Sequence, residues 1–255
     1  MPADEPRRNE CSIVRRPARL DIEGTFNLRD VGDLPVAGGG TIRSHLLYRG
    51  DAIDAVTESG ADALRRLNLR TVIDLREPAE CKRPGPDLGD LVKVTRIQVF
   101  RDRFDYGNFH GIDDLYAAIL DAAGSDLAAA ISVLAQPNAL PALVHCTGGK
   151  DRTGLVIGLL LAALNVPIDA VASEYALTAV NFVGEARTRG LKRAAEAGVP
   201  AQQIAVLLGS PAEAMTHALT HVVNTAGSVA EYLTAHGVTP GQLQRIREEL
   251  VTPTH

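Results

Sequence analysis

The sequence predicts an α/β fold: a mainly parallel central sheet with helices on both faces, followed by a helical C-terminal half. Three observations lead there. Up to residue 146, short apolar runs bounded by turn residues alternate with helix-like segments, the pattern of strands joined by crossover helices. The last strand-like run stops at Cys146, and the carboxyl end of a strand is where open α/β sheets normally bind ligands. Beyond Val166 the chain reads as almost wholly helical through Leu250, with breaks near Pro167, Gly198-Val199-Pro200, Gly209-Ser210-Pro211 and Gly237. A chain of 255 residues with 45% apolar content can bury one sizeable core, so residues 20–255 read as a single domain.

Taken in order, residues 1–19 are rich in Pro, Arg and Glu and read as a flexible, solvated tail carrying Arg15, Arg16 and Arg19. From Phe26 to Tyr48, turn residues at Asp33-Leu34-Pro35 and Gly38-Gly39-Gly40 separate short β-like runs, which suggests a ribbon at the sheet edge. Arg29, Asp30, Arg49 and Asp51 are either ordinary turn and salt-bridge residues, the commoner case, or a polar network beneath the site. Thr57 is a helix cap ahead of Leu64 and Leu67, and Thr71 to Leu75 is a buried strand. Pro78, Pro84, Gly85 and Pro86 break the next loop, Val92 to Val99 is a further strand, and the charged and aromatic stretch 101–109 either rims the site or is solvated. Helices are expected at Ile112 to Ala123 and Leu127 to Gln136, with Asp113 and Asp114 in a first turn. The strand Leu140 to Cys146 follows. Ser210-Pro211-Ala212-Glu213 and Thr239-Pro240-Gly241-Gln242 both match a capping box with proline at the first helical position.

A net charge of −5 and a pI near 5.8 argue against nucleic acid and anionic membranes as partners, so any anion binding must be local. Three widely spaced cysteines, 11, 81 and 146, do not make a paired disulfide framework and point to a reducing, cytoplasmic setting, with export by a non-classical route left open. The longest apolar run identified, Gly154 to Ala163, is about half of the ~20 residues a bilayer requires, so no stable membrane anchor is expected.

The chemistry concentrates in His145-Cys146-Thr147-Gly148-Gly149-Lys150-Asp151-Arg152-Thr153-Gly154, a tight loop between a strand and an apolar helix. Gly148 and Gly149 allow conformations closed to bulkier residues, and a loop wound this tightly can aim successive N–H groups at one anion. The helix start adds positive potential, and that field favours the thiolate of Cys146. Arg152 has the planar fork that grips two phosphate oxygens, and Thr153 has a hydroxyl to offer the sulfur. His145 suits structural support of the loop better than a role as base. A nucleotide-binding loop is ruled out, because Val144 stands where its first glycine belongs and Asp151 where its Ser or Thr belongs. A sulfurtransferase loop is typically one residue shorter.

These residues resemble the HCxxGKDRTG signature of the bacterial protein-tyrosine-phosphatase-like family that includes the mycobacterial PtpB-type enzymes. Asn27 to Gly32, Leu47 to Asp51, Val72 to Glu77, and Tyr232-Leu233 with Gly237-Val238 extend the resemblance to about residues 20–250. It implies a cysteine-phosphatase-like fold, in which residues 169–208 form either a helical lid or plain core helices. It also implies two-step phosphoryl transfer: Cys146 attacks phosphorus, loop amides and Arg152 stabilise the equatorial oxygens, and water hydrolyses the phosphocysteine. Thr147, Gly148, Gly149, Lys150 and Thr153 then bind substrate, without metal or cofactor. The chain contains no tryptophan, so the Trp-Pro-Asp loop that usually carries the acid is absent. In similar enzymes the aspartate inside the loop is the suspected acid, here Asp151, whose alternative role is to position Arg152. Lys150 either holds a second phosphate, as in cysteine-class phosphoinositide phosphatases, or balances Asp151. Implied substrates are phosphotyrosine first, then phosphoserine, phosphothreonine and phosphoinositides. The rival readings are a sulfurtransferase and a catalytically silent phosphate-binding module.

Overall fold

Five strands form one sheet in the order β1-β2-β5-β3-β4: β1 (Arg29–Asp30), β2 (Leu47–Gly50), β3 (Thr71–Asp74), β4 (Lys93–Arg96) and β5 (Ala142–His145). The computed structural model describes residues 19–101, 109–196, 204 and 209–253. Only β1 is antiparallel to its neighbour. The predicted ribbon is thus a short edge, β1 against β2, with a second bridge between Pro35 and Thr41. The central strands β2, β3 and β5 are buried along their whole length, which is why their apolar residues do not alternate with exposed polar ones, while edge strand β4 is mostly exposed. Gly50, His145, Asp74 and Arg96 share one row across the carboxyl end of the sheet.

Helices cover both faces, but unequally. On one face α1 (Glu58–Arg65) sets Leu64 against Tyr48, Val72 and Leu143. Thr57 caps it as expected, accepting from the Gly60 N–H. The opposite face, with Ile73 and Val144, carries α2 (Ile112–Leu134), α3 (Asp151–Ala163), α4 (Ile168–Asn181), α6 (Ala212–Ala226) and α7 (Val229–Ala235). At the centre, α3 is buried on every side from Arg152 to Leu161, so it shows no polar stripe. Each of its large apolar side chains stabilises the fold by about 1.5–3 kcal/mol through burial, which fixes where its first turn sits. The final helix α8 (Pro240–Leu250) leads to Val251, bridged to Ile42, and closes the chain on its early ribbon.

Several expectations are corrected. The two helices foreseen between 112 and 136 do meet at Ala123, where the backbone leaves helical geometry (φ −120°, ψ 15°), but they follow each other without a loop over Ile112–Leu134, so α2 is two helical segments joined at a kink. Gly124 lets it continue under α7, because a Cβ there would lie 2.3 Å from His236 Nε2. Among the described residues this helix, not Gly154 to Ala163, is the one long and apolar enough to cross a membrane by length and composition; here 61% of its most apolar stretch is buried in the protein, as for a core helix. At Ser210 the expected cap does not form: α6 starts one residue later, with Pro211 at the cap, and Ser210 Oγ is buried without a partner among the described residues. At Thr239 the box does form, Thr239 Oγ1 accepting from Gln242 N and Gln242 Oε1 from Thr239 N.

Of the expected tail, residues 1–18 lie outside the described residues, as do 102–108 of the charged and aromatic stretch and, within 169–208, residues 197–203 and 205–208. The first part of that segment is a core helix, since α4 buries Val171, Ala172 and Tyr175 against the central cluster. The next helix, α5 (Gly184–Glu196), is polar and its described side chains are mostly exposed.

Candidate active site

The loop from Cys146 to Arg152 joins the end of β5 to the first turn of α3. Its shape is fixed from outside. The carbonyl of Thr147 accepts from Ala52 N at 3.2 Å. Asn27 Nδ2 donates to Gly148 O at 3.0 Å and Gly149 O at 3.1 Å, and Arg49 Nη2 donates to Gly149 O at 2.8 Å. In a trans peptide the N–H points opposite to the carbonyl of the preceding residue. With three successive carbonyls drawn outward, the N–H groups of Gly148, Gly149 and Lys150 turn inward, the arrangement of an anion-binding nest. Gly149 has φ of 67°, and a Cβ there would meet the Gly50 carbonyl at 2.5 Å, so both the conformation and the close approach require glycine.

Beneath the loop lies a buried ionic network. Glu174 of α4 accepts from Arg29 Nε at 2.7 Å and Arg49 Nη1 at 2.6 Å, with all three side chains at most 1% exposed. Burial opposes ionisation of Glu174, but the two guanidiniums overcome it and hold its carboxyl below the usual range. Burial pulls Arg29 down to about 10 against the attraction of Glu174, which leaves it charged at neutral pH. Arg29 Nη1 also steadies Asn27 through its Oδ1, at 2.5 Å, and Asp51 accepts from Asn27 N at 2.8 Å. Of the four residues that were read as ordinary turn residues or a network, Arg29, Arg49 and Asp51 form the network. Asp30 does turn work, accepting from Gly32 N and His45 N.

The opposite side of the loop is held by Glu80, at the end of a 3-10 turn (Pro78–Glu80) after β3. Arg152 donates to it through Nη1 at 2.5 Å and Nη2 at 2.7 Å, Nη1 also reaches Leu75 O at 3.2 Å, and the guanidinium lies 4.3 Å over the ring of Phe100. Thr147 Oγ1 donates to the same carboxylate. Burial pushes Glu80 up, but Arg152 and the Thr147 hydroxyl outweigh it and bring it down to about 2. The fork is therefore locked in one orientation before any ligand arrives.

The remaining expected residues fall around this frame. Cys146, at the end of β5, is 3% exposed. The imidazole of His145 has its affinity for a proton lowered by burial against the pull of Asp74, and its Nδ1 donates to Cys146 O at 3.3 Å, which is a supporting role. Lys150 meets Asp151 Oδ1 at 3.2 Å and donates to Gly209 O at 2.9 Å, which places it as a counter-charge and a tie to the segment just before α6. Thr153 Oγ1 is buried with no partner among the described residues, so the hydrogen bond expected to the sulfur is not made. Sequence reading missed Glu80, Phe100, Tyr116, Glu174 and Tyr175. Glu174 carries a usable signal: unlike Asp169, which sits in the first turn, it is an acid in the middle of its helix, between Val171 and Leu177.

The chain is similar to several known proteins. The family model of the tyrosine phosphatase family matches residues 20–252. The triple specificity protein phosphatase PtpB of Mycobacterium tuberculosis is 25% identical over 91% of this chain and 98% of its own. A putative tyrosine-protein phosphatase of Cupriavidus necator is 28% identical over 87% of this chain and 88% of its own. A crystal structure of P. aeruginosa TpbA in complex with pTyr aligns with 65% of this chain and 79% of that one, at 21% identity and a TM-score of 0.36.

Two outcomes follow from the site's supports. Glu174→Ala leaves two buried guanidiniums without their carboxylate and is expected to cost about 3–5 kcal/mol in urea unfolding. Glu80, lowered from 4.5 to about 2, contributes stability that is present above pH 4.5 and lost as pH falls through about 2. Acid titration of thermal stability should therefore be steeper over that window in the wild type than in Glu80→Gln.

Proposed function

The chain belongs to the tyrosine phosphatase family, and from that premise we propose that it hydrolyses phosphate monoesters through a phosphocysteine at Cys146. The observation that carries this reading is the loop itself: three carbonyls tied outward and an arginine fork pre-set by Glu80 make a cradle for a tetrahedral dianion. Electrostatic stabilisation by donors fixed in advance is usually the largest contribution to such a transition state.

In the first step the Cys146 thiolate forms a bond to phosphorus as the bond to the leaving oxygen breaks, and Asp151 passes its proton to that oxygen. The amides of Gly148, Gly149 and Lys150 and the Arg152 guanidinium receive the charge on the equatorial oxygens. In the second step water attacks phosphorus, the Asp151 carboxylate takes a proton from it, and the thiolate leaves. Thr147 contributes through Glu80, and His145 holds the start of the loop.

Phosphotyrosine is our first-ranked substrate, with phosphoserine, phosphothreonine and phosphoinositides behind it. The triple specificity named for the mycobacterial relative supports the breadth. The ranking rests on Lys150, whose ammonium is engaged by Asp151 and Gly209 instead of standing ready for a second phosphate. Phosphate release from matched phosphopeptides and inositol lipids tests the order directly.

Cys146→Ser is expected to abolish turnover while still binding phosphate; normal turnover by this variant would remove the nucleophile. Asp151→Asn is expected to slow an alkyl phosphate roughly 100-fold or more but p-nitrophenyl phosphate far less, since that leaving group needs little protonation. Equal slowing of both would reject Asp151 as the acid.

A further inference from the structure

Two tyrosines in the interior take no part in the steps above. Tyr116 of α2 is fully buried and Tyr175 of α4 is 1% exposed. Their rings meet edge to face, with centroids 6.1 Å apart and planes at 78°. The Tyr116 hydroxyl donates to Asp151 Oδ1 at 3.0 Å, and the two phenolic oxygens are 2.6 Å apart. A phenol has a single proton to donate. Since that of Tyr116 goes to the carboxylate, the 2.6 Å contact is Tyr175 donating to Tyr116. The chain of donors therefore runs in one direction, from Tyr175 to Tyr116 to Asp151.

The surroundings keep both groups as donors. Burial, followed by the nearby charge of Asp151, pushes both phenols well above their ordinary range. Gly154, in the first turn of α3, makes room for the pair: a Cβ there would come within 3.0 Å of Cδ2 and Cε2 of Tyr175. Lys150 approaches the same carboxylate oxygen, Oδ1, at 3.2 Å. Among the described residues, the nearest approach of both partners of Asp151 is to Oδ1, and no hydrogen bond reaches Oδ2.

We propose that Tyr116, held by Tyr175, is the positioning residue of the proton donor. It fixes the Asp151 carboxyl through Oδ1, so that Oδ2 carries the proton toward the leaving oxygen, and it stabilises the carboxylate once that proton has gone. The tyrosine protons do not move; only the Asp151 proton transfers, and water replaces it in the second step. The inference rests on the reading of Asp151 as the acid.

The test compares Tyr116→Phe, Asp151→Asn and the double variant on p-nitrophenyl phosphate and an alkyl phosphate. Tyr116→Phe keeps the ring and removes the hydroxyl. Expected is a loss of about tenfold in kcat on the alkyl phosphate, a share of what a general acid supplies, with KM held and a much smaller loss on p-nitrophenyl phosphate. In the Asp151→Asn background the same substitution should cost nothing further. Tyr175→Phe, which removes the donor to Tyr116, should move the alkyl phosphate in the same direction and stands in if Tyr116→Phe does not fold. An equal loss on both substrates, or an additive loss in the double variant, overturns the proposal. If Asp151→Asn discriminates between the substrates and Tyr116→Phe does not, this inference alone fails. If Asp151→Asn itself does not discriminate, the acid reading fails and takes this one with it.

Discussion

Three consecutive peptide carbonyls, of Thr147, Gly148 and Gly149, are pulled away from the centre of their loop by donors from distant parts of the chain. A short loop left alone would point these dipoles at random, and inward carbonyls would repel an anion. The outward pull sets the direction of the amides, and the amides set what the loop can bind. Asn27 and Arg49 supply most of that pull, and neither is stable in its position without Glu174. Buried guanidiniums need a buried carboxylate, and a buried carboxylate needs them. The site therefore depends on ions far below the surface that never meet a substrate.

Helix α4 links two parts of this arrangement through consecutive residues. Glu174 binds Arg29 and Arg49 beneath the glycines, while Tyr175 reaches Tyr116 and, through it, Asp151. A sideways shift of the helix would disturb loop support and carboxyl placement together. The packing resists such a shift, since α4 buries Val171, Ala172 and Tyr175 against the central cluster. On the other side of the loop, Glu80 belongs to neither helix. It comes from the turn after β3 and clamps Arg152 and Thr147 at once, so the two sides of the cradle are built from different regions of the chain.

This division explains what the sequence made legible. The sheet, the helical C-terminal half and the loop from His145 to Thr153 are local patterns: apolar runs, paired glycines and a fixed cysteine-to-arginine spacing lie within a few residues of one another. Thr239 and Gln242 were readable for the same reason, because a capping box is complete in four residues. Ser210 looked equivalent and was not, since the helix starts one residue further on, with Pro211 at the cap. The division of α2 at Ala123 was legible, whereas the close packing of α7 against Gly124, which lets the two segments run on without a loop, was not. Glu80, Tyr116 and Tyr175 have no local signature at all. Each acquires its role only when residues some 35 to 72 positions away arrive beside it, and a single sequence does not announce those meetings.

The proposed anion binding has to be squared with a chain of net charge −5. Every cation that touches the loop or its supports is matched with a carboxylate: Arg29 and Arg49 with Glu174, Lys150 with Asp151, Arg152 with Glu80. Formal charge alone therefore gives little pull. What distinguishes the site is orientation, in that its amides and its guanidinium are already aimed and need no rearrangement when a dianion enters. Such fixed dipoles act most strongly where water is excluded, and the loop, half-buried at Thr147 and Gly148 and buried at Gly149 and Lys150, goes part of the way there. The acidic composition and the anion binding proposed for the loop are thus compatible, because the first governs the protein at long range and the second operates over a single hydrogen-bond length.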